Sequence, residues 1–222
     1  GKQVGETRTI FVAITDTNGG DKAKDGGGHG RLVGETLAYS TDGGFSYSLL
    51  EGANPIISHH GRDPKPFWYE AGQHWCIVTY RQGKKNNDTD GQMAFYSSKD
   101  LINWTQESLT PPIYHECPDM IELPVDGDSK NKKWMLFDAT PNYQLGSFDG
   151  KSFSSDFKGT RRTMGGQIKA GQLFSHAPDG RAIMMVWARF KPSDPQAPFN
   201  QGFTLPIELN LRTASDGVRC YA

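Results

Sequence analysis

Two carboxylates stand out for the chemistry their settings allow. The stretch "HHGRDPKPFWYE" (59–70) puts Asp63 beside Arg62, directly before an aromatic, strand-like run. The stretch "YHECPDMIEL" (114–123) puts Glu116 in the same relation to a second apolar run, 53 residues further on. Two carboxyl groups converging in one pocket are the tools of glycoside hydrolysis. One donates a proton to the leaving oxygen, and the other attacks, activates water or stabilises the charge growing on the sugar ring. Arg62 favours an ionised Asp63. Cys117 and Pro118 offer Glu116 little solvation, which favours a protonated acid. Plainer roles compete: Asp63 as a turn residue before Pro64, Glu116 as an exposed carboxylate at a strand edge. His115 competes with Glu116 as a base, but neighbours on a strand face opposite sides, so only one of them could enter a site. His59 and His60 lie near Asp63, yet adjacent histidines on a loop are a poor chelating pair, and no metal is expected there. "DTNGGDKAKDGG" lacks the glycine and terminal glutamate of a calcium loop at their required places and reads as a hairpin tip. No cofactor is expected. Trp68, Trp134 and Trp187 could offer stacking faces to a sugar; core packing is the plainer role for Trp68 and Trp134.

The elements that must position these groups show a repeat. "AYSTDGGFSYS" (38–48), "FYSSKDLINWT" (95–105) and "LGSFDGKSFSS" (145–155) share a serine near a strand end, a tight turn carrying Asp and an aromatic a few residues later. Gly and Asp are the residues such turns require, and the aromatic is expected to open the returning strand and pack in the core. Asp42, Asp100 and Asp149 recur at intervals of 58 and 49 residues. Repeats of about 40–50 residues holding several short strands signal a β-propeller; a β-sandwich with three similar hairpins is the alternative. On this grid Asp63 and Glu116 fall one period apart, and "KAGQLFS" (169–175) places Gln172 in the comparable position. Arg62, Asp63, Glu116 and Gln172 would then line the mouth of a central funnel. The fold class expected from the repeat is all-β, a β-propeller.

Composition narrows the partners. Lys plus Arg is 24 and Asp plus Glu is 25 in 222 residues, so no basic face for nucleic acid is expected. No run of 18 apolar residues exists, so no membrane span is expected, and no signal peptide is seen. Cys76, Cys117 and Cys220 lack the close spacing of a zinc site. An odd count at this length argues against a disulfide framework, and Cys76 in "HWCIVTY" reads as a buried thiol. "GRAIMMVWARF" could pass as a helix by period, but β-branched neighbours and flanking Gly and Pro favour a strand.

The motifs resemble those of a known family. "GRDPKPFWYE" is similar to the Arg-Asp-Pro motif, and "HECPDMIELPVDG" to the Glu-Cys motif, of glycoside hydrolase family 32, the invertases, inulinases and levanases. "LAYSTDGGFSYSLLEGANPII" and "FYSSKDLINWT" look like its blade turns; "FDGKSF", "AGQLFS" and "PFNQGFTLPIELNLRTASDGVR" resemble its later blades. The resemblance covers nearly the whole chain, with motifs in the family's order. It implies a retaining hydrolase of β-fructofuranosidic bonds in fructan or sucrose. Glu116 would be the general acid/base, Asp63 the transition-state stabiliser, Arg62 and Trp187 sugar contacts. It implies a secreted or periplasmic protein. Residues 1–205 would be a partial five-bladed propeller, with about four blades present, and 206–222 an exit strand toward a β-sandwich. The family's nucleophile, in a Trp-Met-Asn-Asp-Pro-Asn-Gly-like motif, has no counterpart here; Asp16 in "AITDTNGG" is the nearest imitation and is not promoted. The resemblance therefore implies a missing first blade and little activity for these residues alone. Lys169 stands where the family commonly has Tyr. Two rivals remain: an inverting arabinan- or xylan-cleaving propeller, and a non-catalytic carbohydrate-binding propeller that would have no need of Glu116. The choice among sucrose, inulin and levan stays open.

Overall fold

The computed structural model describes residues 9–16, 33–50, 52–59, 61–83, 90–175, 177–189, 194–199 and 201–222. The fold is all-β and propeller-type. Eighteen strands are described, and the two 3₁₀ turns, Glu70–Gly72 and Pro178–Gly180, are the only helical elements among the described residues. The segment "GRAIMMVWARF" holds a strand, as its β-branched setting predicts. His60 and most of the "DTNGGDKAKDGG" stretch lie outside the described residues. No helix among the described residues is long and apolar enough to cross a membrane. The chain divides into two compact units, Gly1–Pro112 with Gly150–Ser152, and Ile113–Asp149 with Phe153–Ala222.

The first unit holds two sheets. In one, β1 (Ile10–Asp16) pairs antiparallel with β2 (Val33–Ser40), whose other edge takes β3 (Ser48–Leu49) and β4 (Ile57–His59). The other is a four-stranded meander of β5 (Gly61–Tyr69), β6 (His74–Arg81), β7 (Gln92–Ser98) and β8 (Thr105–Leu109). Its inner strands carry apolar runs such as "WCIVTY", buried almost throughout. Leu37, Ile56, Ile57, Ile77, Ala94, Tyr96 and Leu101 form the core, each large side chain contributing about 1.5–3 kcal/mol by burial.

The second unit is built from two more meanders. The first runs β9 (Asp119–Val125), β10 (Asp128–Phe137), β11 (Asn142–Phe148) and β12 (Phe153–Ser155), with β13 (Arg161–Arg162) also on β11. The second runs β14 (Ile168–Leu173), β15 (Ala182–Ala188), β17 (Ile207–Ala214) and β18 (Gly217–Tyr221), with β16 (Gly202–Phe203) also on β15. A parallel bridge, Leu211 to Val125, joins them, and Asp126 clamps it by accepting from the Thr213 amide and hydroxyl at 2.9 and 2.6 Å. Residues 206–222, expected as an exit strand, supply the β17–β18 hairpin, and Leu209, Leu211 and Cys220 lie in this unit's core.

The repeated turns have the chemistry their sequences suggest. At the end of β2, Asp42 accepts from the Phe45 and Ser46 amides, both at 3.0 Å, and from the Ser46 hydroxyl at 2.6 Å. At the end of β7, Asp100 accepts from the Ile102 and Asn103 amides at 2.9 and 2.8 Å. The aromatics behave less uniformly than expected. Trp104 packs against the core, but Phe45 is 93% exposed. The two glycines before it hold left-handed conformations, and the wide turn they make swings the ring out to solvent. Cys76 and Cys220 are buried, and burial pushes both thiols up to about 12.

Candidate functional site

Asp63 sits on a bulge. In the β5–β6 ladder Arg62 opposes Tyr80 and Lys65 opposes Val78, so Asp63 and Pro64 together face Thr79. Pro64 has no N–H to give the ladder, and Asp63 takes φ +65°, a left-handed conformation that Asp tolerates better than most residues. A β-bulge re-aims the side chain it carries. The Asp63 amide, turned away from β6, donates to Thr15 Oγ1 at 2.8 Å.

A buried network holds that bulge. Glu35 on β2 is fully buried. Thr15 donates to its Oε2 at 3.1 Å. The Thr79 hydroxyl lies 2.6 Å from Glu35 Oε1 and 2.9 Å from the Arg62 carbonyl, sharing one proton between them. His59 Nε2 stands 2.8 Å from Glu35 Oε1. One carboxylate thus ties β1, β4 and β6 to the backbone on both sides of the Arg62–Asp63 peptide. The Asp63 side chain itself is 28% exposed. Arg62 Nε lies 4.0 Å from Asp63 Oδ2, a loose pairing, and the guanidinium stacks 5.1 Å from the Tyr80 ring centre. The neighbouring Trp68 is partly exposed, packs edge-on to Trp75 and donates to Glu70. Sequence reasoning missed Glu35; its signal was a carboxylate inside the apolar run "VGETLAYS", a position a strand buries only with partners.

Glu116 sits on a bend rather than a strand, with φ +31° and Cys117 following at φ +43°. This overturns the expectation that His115 and Glu116 face opposite sides. Strand alternation does not apply on the bend, and His115 Nε2 stands 2.9 Å from Glu116 Oε2. Lys169 Nζ reaches the same oxygen at 3.2 Å. Glu116 is 22% exposed, and it meets two nitrogen-bearing side chains that its neighbours Cys117 and Pro118 did not announce.

Backbone bonds fix this geometry. The Ala139 amide is shared between the His115 and Glu116 carbonyls at 3.0 and 2.9 Å, and the Ala139 carbonyl accepts from the Ala170 amide at 2.6 Å. Asp138, buried next to Ala139, accepts from the His115 amide at 3.2 Å and from Thr140 N and Oγ1. Burial pushes its carboxyl up, and those hydrogen bonds pull it partly back. Asp119 at the start of β9 is fully buried and accepts from the Leu173 amide at 2.8 Å, which ties β9 to β14.

β14 repeats the bulge of β5. Lys169 opposes Trp187 and Gln172 opposes Met185, so Ala170 and Gly171 together face Val186. Ala170 has φ +55°. By register the residue comparable to Asp63 is therefore Ala170, and Gln172 matches Lys65; the sequence grid, which ignored the bulge, placed Gln172 two residues away from the equivalence. Gln172 lines a pocket of about 490 Å³ with Cys117, Leu173, Phe174, Met185 and Phe203. Trp187 does not line it; its ring lies beneath the Arg189 guanidinium, 5.3 Å away, and directly across the ladder from Lys169. A pocket of about 530 Å³ between Asp126, Asp179 and Arg212 contains none of the expected site residues. No group of three or more metal-ligating side chains occurs among the described residues.

The chain belongs to glycosyl hydrolases family 32: the model of that family's N-terminal domain matches residues 29–220. It is 30% identical over 213 residues to a levanase of Bacillus subtilis (strain 168), covering 83% of this chain and 30% of the levanase. It is 30% identical over 197 residues to an extracellular exo-inulinase of Meyerozyma guilliermondii, covering 79% of this chain and 37% of that protein. A solved fructofuranosidase from Schwanniomyces occidentalis, complexed with fructosylnystose, superposes with a TM-score of 0.71 at 26% identity, over 85% of this chain and 40% of that one. The chain thus spans less than half the length of the relatives it matches.

Proposed function

We propose that this chain is part of a secreted or periplasmic β-fructosidase that cleaves fructan or sucrose with retention of configuration. The observation that carries the reading is the family match across residues 29–220. The names of the relatives, a levanase and an extracellular exo-inulinase, support the substrate class and the location. The four-stranded meanders support a propeller, and the family resemblance supports five blades.

Glu116 is the general acid/base. Its proton passes to the glycosidic oxygen as the bond to the fructosyl carbon breaks; the carboxylate left behind then takes a proton from the water that releases fructose. Asp63 holds ring hydroxyls and stabilises the positive charge of the oxocarbenium-like transition state, and Arg62 keeps it ionised. Trp187 and Gln172 contact the sugar. No described residue is assigned as the nucleophile.

Fructose release from sucrose, inulin and levan by the whole protein tests this. Glu116→Gln is expected to lower kcat by about 10²–10⁴-fold, the range for a lost acid/base group, and NMR of the first-formed product should show the β-anomer. Release of arabinose or xylose from their polymers, with no fructose, would replace this reading by the inverting one. Unchanged turnover by Glu116→Gln would remove Glu116 from the chemistry.

A further inference from the structure

We infer that Lys169 is a positioning residue for Glu116: its ammonium orients the Glu116 carboxylate and sets the pH at which that group gives up its proton. The functional consequence rests on the acid/base reading of Glu116; the coupling itself does not.

Three independent features carry the inference. The first is the contact. Lys169 Nζ lies 3.2 Å from Glu116 Oε2, and the two side chains are only 23% and 22% exposed. The Lys132–Glu122 pair of the same unit has the same separation, but its side chains are 44% and 40% exposed, the setting in which solvent cancels most of the attraction. The second is the backbone. Ala170, next to Lys169, donates to the Ala139 carbonyl, while the Ala139 amide bonds to the Glu116 carbonyl. Both ends of the ion pair therefore hang from one buried residue, and little entropy remains to be lost in forming it. The third is the repeated design. In β5 the residue before the bulge is a cation, Arg62, opposite Tyr80 and 4.0 Å from its carboxylate Asp63. In β14 the residue before the bulge is again a cation, Lys169, opposite Trp187, and it reaches a carboxylate on a different element.

Other charged groups of this unit also bear on Glu116. His115 comes from its own bend at 2.9 Å. Asp138, following β10, holds the His115 amide. Arg189, after β15, is drawn to the Trp187 ring. Lys169 brings a fixed positive charge into direct contact with Glu116. An opposite charge this close favours the ionised carboxylate. A general acid works from the protonated form, so the ammonium confines the acid step to lower pH. It also stabilises the carboxylate that remains once the proton has moved to the leaving oxygen.

The test is a carboxyl ¹³C NMR titration of Glu116 in the protein, with the resonance assigned through Glu116→Gln. Lys169→Met, and Lys169→Tyr as a variant carrying the family's common residue, should raise the titration midpoint by about one pH unit, the low end for an adjacent opposite charge. Lys169→Arg should keep it near the parent. The basic limb of the kcat–pH profile of the whole enzyme should move with the midpoint. An unchanged midpoint in both Met and Tyr variants would overturn the coupling, as would an equal rise in all three, which would assign the effect to packing. If the midpoint moves as expected while Glu116→Gln retains activity, the coupling stands and the acid/base reading fails.

Discussion

At the scale of single residues, Glu35 illustrates how a candidate site is braced from behind by a buried group. Its carboxylate is buried and shared among Thr15, Thr79 and His59, and the first two reach the backbone of Asp63 and Arg62. Removing one member of such a network leaves the others desolvated and unpaired. Glu35→Ala is expected to cost about 3–5 kcal/mol in urea unfolding, whereas a surface carboxylate such as Glu122 should cost under about 0.5 kcal/mol when changed to Ala. Equal losses at the two positions would show that Glu35 is not a hub. Asp63 and Glu116 were legible in the sequence because each heads an apolar run beside a distinctive neighbour. Glu35 was not, since a lone glutamate in a strand looks like any solvent-facing residue until its three partners, 20, 24 and 44 positions away, are brought together.

At the scale of elements, the bulges matter more than the strands. Strand-rich segments, the turn aspartates and the buried Cys76 could be read from residue type and period. The register could not, because one extra residue leaves no mark on composition. That is why Gln172 was aligned with the carboxylate positions while the ladder aligns Ala170 with Asp63. The same limit applies to Glu116 and His115, whose alternation fails on a bend with positive φ. Gly61, just before the Arg62–Asp63 bulge, shows how tightly β5 and β6 approach: a Cβ there would fall 2.0 Å from the Tyr80 carbonyl oxygen. Backbone cannot yield as a side-chain tip can. Gly61→Ala should therefore destabilise by about 1–3 kcal/mol, measured by thermal unfolding, and Gly52→Ala, with no atom near its added methyl but a strained φ, should cost about 1 kcal/mol. A larger loss at Gly52 would refute the close approach.

At the scale of the whole molecule, the turn aspartates link folding to pH. Hydrogen bonds from their own turns hold Asp42 and Asp100 well below the ordinary 3.8, with Ser46 and Asn103 the chief donors, and Thr213 does the same for Asp126. A carboxyl depressed in the folded state stabilises the fold above its unfolded value and loses that contribution as pH falls through the folded one. Asp138, raised by burial, works in the opposite sense: its contribution is complete below the ordinary value and is lost as pH rises through the raised one. The unfolding temperature should fall steeply below about pH 3.8, and Asp100→Asn should make that fall shallower. An identical slope in the variant would show that the turn does not discriminate between the charged and neutral forms. The bulge that β5 and β14 share has a longer reach. It behaves as a mould used twice, once filled with an acid and once with an alanine. A lineage carrying such a mould can trade side chains in it without redrawing the sheet, so the position of Ala170 is a ready socket where new chemistry could be tried at small structural risk.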